Sequence, residues 1–128
     1  MSKYPVEMKA NLDRTIANLQ AAKEALQTGQ YTVSASRAAD AAFHTGSMLL
    51  LDEEIEPIQH GDVITLLQEI FVNGRRLTKE QGGNLSWLFA IRNAADRGTG
   101  LPVSSEEARK AVEVAESFFD AAKIILQA

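Results

Sequence analysis

The sequence predicts an all-helical protein, an antiparallel up-and-down four-helix bundle with a short extra helical turn between helices three and four, occupying residues 1–128 as one domain. Three observations predict it. Apolar residues recur at steps of three and four along most of the chain, the spacing that lines one face of a helix. Between those stretches stand runs containing glycine, asparagine or proline, which end helices and turn the chain. One central stretch, residues 30–51, is dense in alanine, glycine and serine, small side chains that let neighbouring helices approach closely.

Composition bounds the function. A chain of 128 residues with 45% hydrophobic residues can bury a core of its own. It has no cysteine, which removes disulfides and thiolate metal sites. Two histidines and no HExxH spacing leave no zinc motif, and no cofactor motif is present, so neither a metal nor a cofactor is expected. The net charge of −4 argues against general coating of nucleic acid, yet leaves room for a local basic patch. The N-terminus lacks the apolar core of a signal peptide, and no run approaches membrane-spanning length. A cytoplasmic protein that makes no membrane contact is therefore expected.

The elements follow in order. Pro5 suits the first turn of a helix, where its missing N–H costs nothing. Leu12, Ile16, Leu19, Ala22 and Leu26 then keep helical spacing, Lys9, Asp13, Asn18 and Lys23 take the other side, and Gly29 stops helix one, expected over 6–28. Helix two, over 30–51, belongs at the centre because of its small residues. A connection over 52–61 carries Pro57, His60 and Gly61, its acidic run read as solvated. Asp62 can cap helix three, with Val63, Ile64, Leu67, Ile70 and Phe71 inward and a stop at Asn73 and Gly74. Arg75, Arg76 and Lys79 make a local basic cluster that reads as ordinary surface. Thr78 can cap a short turn, which Gly82 and Gly83 should interrupt, each glycine costing about 1 kcal/mol in a helix interior. Helix four is then expected from Asn84. For the last helix, Ser104 and Glu107 form a capping box and Val103 can staple against Ala108. Its two apolar rows, one through Val112 and Phe119 and one through Val114 and Phe118, make a face wide enough to meet two neighbours.

The candidate site lies where helix four turns polar. Trp87 sits in its apolar part; Arg92, Asn93, Asp96 and Arg97 then fall within one and a half turns, and Gly98, Gly100 and Pro102 end the helix. Arg92 and Asp96 are four apart and share a face, in the less favourable order for an isolated helix, so a tertiary role explains them better. On helix two, Arg37, Asp40 and His44 fall along one side at i, i+3 and i+7. One reading makes them a structural Asp40–His44 pair or a partly exposed stripe. The other has the stripe face the Arg92 turn and complete a polar cleft.

These two stretches carry a family resemblance. Ser36-Arg37-Ala38-Ala39-Asp40-Ala41-Ala42-Phe43-His44 resembles the helix-two pattern S-R-A-Y-Y-A-x-F-H, and Arg92-Asn93-Ala94-Ala95-Asp96-Arg97 resembles R-N-x-A-D-Y, of small stand-alone HEPN domains (higher eukaryotes and prokaryotes nucleotide-binding). Residues 55–72, with His60 and the Phe71-Val72 pair, are similar to that group too. The resemblance implies a helical protein of a toxin–antitoxin or defence system. It implies a homodimer in which two polar turns face one another, a minimal nucleotidyltransferase as partner, and a nucleotide or RNA as ligand. Three family tyrosines are replaced, by Ala39, Asp40 and Arg97, which turns an aromatic pocket into an ionic one.

Many HEPN proteins resemble metal-independent ribonucleases that use R-x(4–6)-H, the arginine binding phosphate and the histidine moving protons as the 2′-hydroxyl attacks. No histidine follows Arg92; Asp96 stands there, and an ionised carboxylate repels phosphate and is a poor acid. Arg37 and His44 fit the spacing on helix two, a loose pattern that arises easily by chance. The expectation is therefore a protein without catalytic residues that binds a partner or a nucleotide-like ligand. The alternatives are a ribonuclease toxin with an altered site and a plain helical interaction module.

Overall fold

A computed structural model of the protein describes residues 4–56, 60–97 and 102–127, with the backbone alone at 60 and 94–97. The described residues are mostly helical and contain no strand. Five helices succeed one another. They are α1 (Pro5–Gln27), α2 (Tyr31–Asp52), α3 (His60–Leu66), α4 (Lys79–Arg97) and α5 (Ser105–Gln127). α3 runs on into a π-helical turn, Leu67–Val72. Pro57, Gly98 and Gly100, read above as chain punctuation, lie outside the described residues.

α2 is the hub, packed against α1, α3, α4 and α5. Ala35, Ala38, Ala39, Ala41 and Ala42 are fully buried along it, so its neighbours close on small side chains. Gly46 shows how closely: a Cβ there would sit 2.7 Å from Leu67 Cδ1 and 3.0 Å from Val63 Cγ1. α1 lies antiparallel to α2, and Ser34 Oγ donates 2.7 Å to the Ala22 carbonyl, satisfying a buried hydroxyl. α1 ends at Gly29, whose φ of 78° suits glycine.

The face α1 buries is rotated from the expected one. Thr15, Leu19, Ala22 and Ala25 are inside, whereas Leu12 and Ile16 are exposed. Close approach to the alanine surface of α2 favours the small side chains of α1 over its larger ones, which move to the flank. At α5 the expectation holds in detail. Ser104 N–H donates 3.0 Å to Glu107 Oε1, Glu107 N–H donates 3.1 Å to Ser104 Oγ, and Val103 and Ala108 are buried beneath the box.

The extra turn before helix four is corrected: it is the first turn of α4 itself. Thr78 and Gln81 form a second capping box, at 2.7 and 3.0 Å, and the helix continues through Gly82 and Gly83 to Arg97. Gly82 is there for contact with the π turn. Its carbonyl accepts 2.8 Å from Gln68 Nε2, and a Cβ would meet Gln68 Oε1 at 2.7 Å and Val72 Cγ2 at 2.8 Å. Helix contacts on both sides of the glycine outweigh its propensity cost of about 1 kcal/mol. Gly74 likewise answers to space, since a Cβ would lie 2.3 Å from the Ile70 carbonyl oxygen, and the left-handed residue of that turn is Arg75, at φ 63°.

Candidate functional site

Arg92 reaches α2. Its Nη2 lies 2.9 Å from Asp40 Oδ1, and both side chains are about three-quarters buried, at 24% and 25% exposure. Two helix periods place this pair. Asp40 follows the fully buried Ala38 and Ala39 on α2, and Arg92 lies one turn beyond the fully buried Leu88 on α4, so both charges stand at the edge of the same apolar seam. Asn93, the next residue, is exposed. The side chains of Asp96, Arg97 and His60 lie outside the described residues.

The helix-two stripe divides between two neighbours. Asp40 turns to α4, while Arg37 and His44 turn to α1. Arg37 is exposed and its Nη1 donates 3.5 Å to Asn18 Oδ1. His44 is half-buried, with Nδ1 2.9 Å from Asn11 Oδ1 and its ring edge-on to Phe43 at 5.2 Å. Asn11 Nδ2 donates 2.9 Å to the Glu7 carbonyl, which fixes the amide so that its oxygen faces the imidazole. So oriented, the contact places the proton on Nδ1.

Asn11 and Asn18 were not candidates on sequence grounds, although a signal was present. They are seven residues apart, as are Arg37 and His44, and antiparallel helices bring two such pairs into register in opposite order. Reading the helix pair together, rather than each helix alone, would have found them.

The geometry gives a cation neutralised by its own chain and a histidine held by an amide. Among the described residues no group of three or more histidines and carboxylates could hold a metal ion. No helix there is long and apolar enough to cross a membrane.

Comparison with known proteins bears on this arrangement. The family model of the HEPN domain matches residues 8–125. A protein of Methanocaldococcus jannaschii named "Putative toxin MJ0605" is 31% identical over 121 residues, covering 94% of this chain and 90% of that protein. The match runs from the first turn of α1 to the last turn of α5, taking in Asn11, the helix-two stripe and the Arg92 turn; the chain belongs to the HEPN domain family.

Proposed function

We propose that the protein is a non-catalytic HEPN member of a toxin–antitoxin or defence system, a single domain that acts as a homodimer by binding a protein partner of the minimal nucleotidyltransferase class or a nucleotide-like ligand. Its four long helices, α1, α2, α4 and α5, then form the up-and-down bundle, with α3 as an appendage. The toxin name of the Methanocaldococcus jannaschii relative supports the system. The observation that carries the non-catalytic reading is the Arg92–Asp40 ion pair.

A lone cation near a protein surface offers an anion 4 Å away about 4 kcal/mol of attraction at an effective dielectric of about 20. The carboxylate of Asp40, held against that guanidinium, opposes an incoming phosphate with repulsion of similar size. The pair is neutral as a unit and suits an interface better than a phosphoryl transition state. The ribonuclease reading rests on His44, which Asn11 orients. It would need Arg92 or Arg37 to leave its present partner for phosphate.

Purified protein incubated with single-stranded RNA in chelator, alongside Arg92→Ala and His44→Ala, tests the reading. Intact RNA in every lane is expected. Cleavage that either substitution abolishes overturns it, and the substitution that does so names the residue. Sedimentation showing only monomer at tens of micromolar, about where weak symmetric dimers form, would remove the homodimer.

A further inference from the structure

The basic cluster that reads as plain surface in the sequence lines a cleft. Where the π turn passes into α4, Val72, Asn73, Arg75, Leu77, Thr78 and Lys79 line an open cleft of about 440 Å³. That is within the common size range of small-ligand sites, roughly 300–1,000 Å³. We propose that this cleft binds the phosphoryl group of a phosphate ester, at a site separate from the Arg92–Asp40 pair. Lys79 and Arg92 stand at opposite ends of α4, about 20 Å apart at the helical rise, so the proposal does not depend on the function proposed above.

The lining selects the ligand. Arg75 and Lys79 are exposed, and among the described residues neither forms an ion pair. Asn73 adds an amide N–H₂. Thr78 Oγ1 already accepts from Gln81 N–H at 3.0 Å, so its own hydrogen remains to donate. Every polar side chain of the lining can donate a hydrogen bond, and none is a carboxylate. Glu69 and Glu80 stand on the adjoining turns without entering the lining. A tetrahedral anion with several acceptor oxygens matches such a set, and the planar fork of arginine matches phosphate in two-pronged fashion.

The positive character comes from side chains. The capping box engages the Thr78 and Gln81 backbone donors at the amino end of α4, and the two full charges of the lining are those of Arg75 and Lys79. Arg76, the third cation of the cluster, is committed elsewhere: it pairs with Glu53 and its guanidinium lies 4.7 Å from the centroid of the Phe71 ring. The left-handed backbone of Arg75 is what turns adjacent arginines to different tasks.

The test follows amide NMR shifts of the intact protein at low salt. The probes are inorganic phosphate, adenosine monophosphate, a short single-stranded oligouridylate and, as a control for charge alone, an oligoglutamate peptide. Shifts concentrated at residues 72–79 with at least one phosphate probe are expected. Binding should weaken by at least about tenfold, the loss of one good charge-assisted contact, in Arg75→Asn/Lys79→Gln. Lys79→Gln alone, which leaves the turn untouched, should weaken it in the same direction. Preference for the monophosphate over the oligonucleotide identifies a free nucleotide as the source, and the reverse, with steep salt dependence, identifies an RNA strand. Oligoglutamate binding as tight as any phosphate probe overturns the proposal in favour of an acidic protein surface. Shifts centred elsewhere, or none at millimolar probe, overturn it outright.

Discussion

α4 has arginine or lysine near both ends, and the protein treats the two ends in opposite ways. Near its C-terminal end Arg92 is three-quarters buried and met by a carboxylate from α2. At its N-terminal end Arg75 and Lys79 stand exposed around a cleft with no carboxylate in its lining. The first charge has given up much of its water and depends on Asp40 to offset that loss. The other two keep their water, cost the fold little, and remain able to act on something outside it. Residue type does not separate the two cases; the partner does.

The largest effect expected from breaking this contrast is at Asp40. Removing one member of a fully buried ion pair costs about 3–5 kcal/mol, and an exposed pair contributes no more than about 1. A pair one-quarter exposed falls between, so Asp40→Ala should lose about 2 kcal/mol in urea denaturation. Replacing both residues, Asp40→Ala with Arg92→Leu, should recover most of that loss, because no guanidinium is then left in the seam. If Asp40→Ala costs under about 0.5 kcal/mol, the pair is an ordinary surface contact and the two ends of α4 are alike.

How much of this could be read in the sequence depends on whether a residue answers to its own helix or to another. Ser104 and Glu107 act within one turn, so their box was legible. Gly29 was legible because its conformation is local. Gly82 was misread because its role is set by Gln68 and Val72, which approach from the π turn. Leu12 and Ile16 kept perfect helical spacing and still face water, because the small residues of α2 decided which side of α1 comes closest. At the site, Asp40 alone of the helix-two stripe meets Arg92 in an ion pair among the described residues. Arg37 and His44 shared their face on α2, yet that face is wide enough to touch α1 and α4 at once. The Arg75 cleft left no trace beyond three basic residues, since adjacent arginines with opposite duties look identical in a string of letters.

Gly82 and Gly83 have the same helix-propensity deficit against alanine, about 1 kcal/mol. A Cβ at Gly83 meets nothing within 4 Å, so Gly83→Ala should stabilise the protein by up to about 1 kcal/mol. A Cβ at Gly82 would press on Val72, a stiff β-branched side chain, and on a Gln68 anchored to the Gly82 carbonyl and to Ser86 Oγ. Gly82→Ala should therefore destabilise by about 1–2 kcal/mol despite its better propensity. Thermal melts of the two variants moving in opposite directions would establish that α4 is held to the π turn by contact. Both rising together would show that the π turn yields.

The smallest effects separate Arg75 from Arg76. Arg76→Ala removes an exposed ion pair with Glu53 and a cation–π contact with Phe71, each worth about 0.5 kcal/mol at such positions, so a loss near 1 kcal/mol is expected. Arg75→Asn removes a charge that holds nothing in place, and asparagine tolerates the left-handed backbone at that position better than most residues. Its stability should stay within about 0.5 kcal/mol of the parent. The contrast must therefore appear in two measurements at once: Arg76→Ala shifts the denaturation midpoint and leaves phosphate binding nearly intact, whereas Arg75→Asn does the reverse. If Arg75→Asn proves the more destabilising of the two, its guanidinium is part of the turn, and Lys79 is left as the cleft's one cation not committed to the fold.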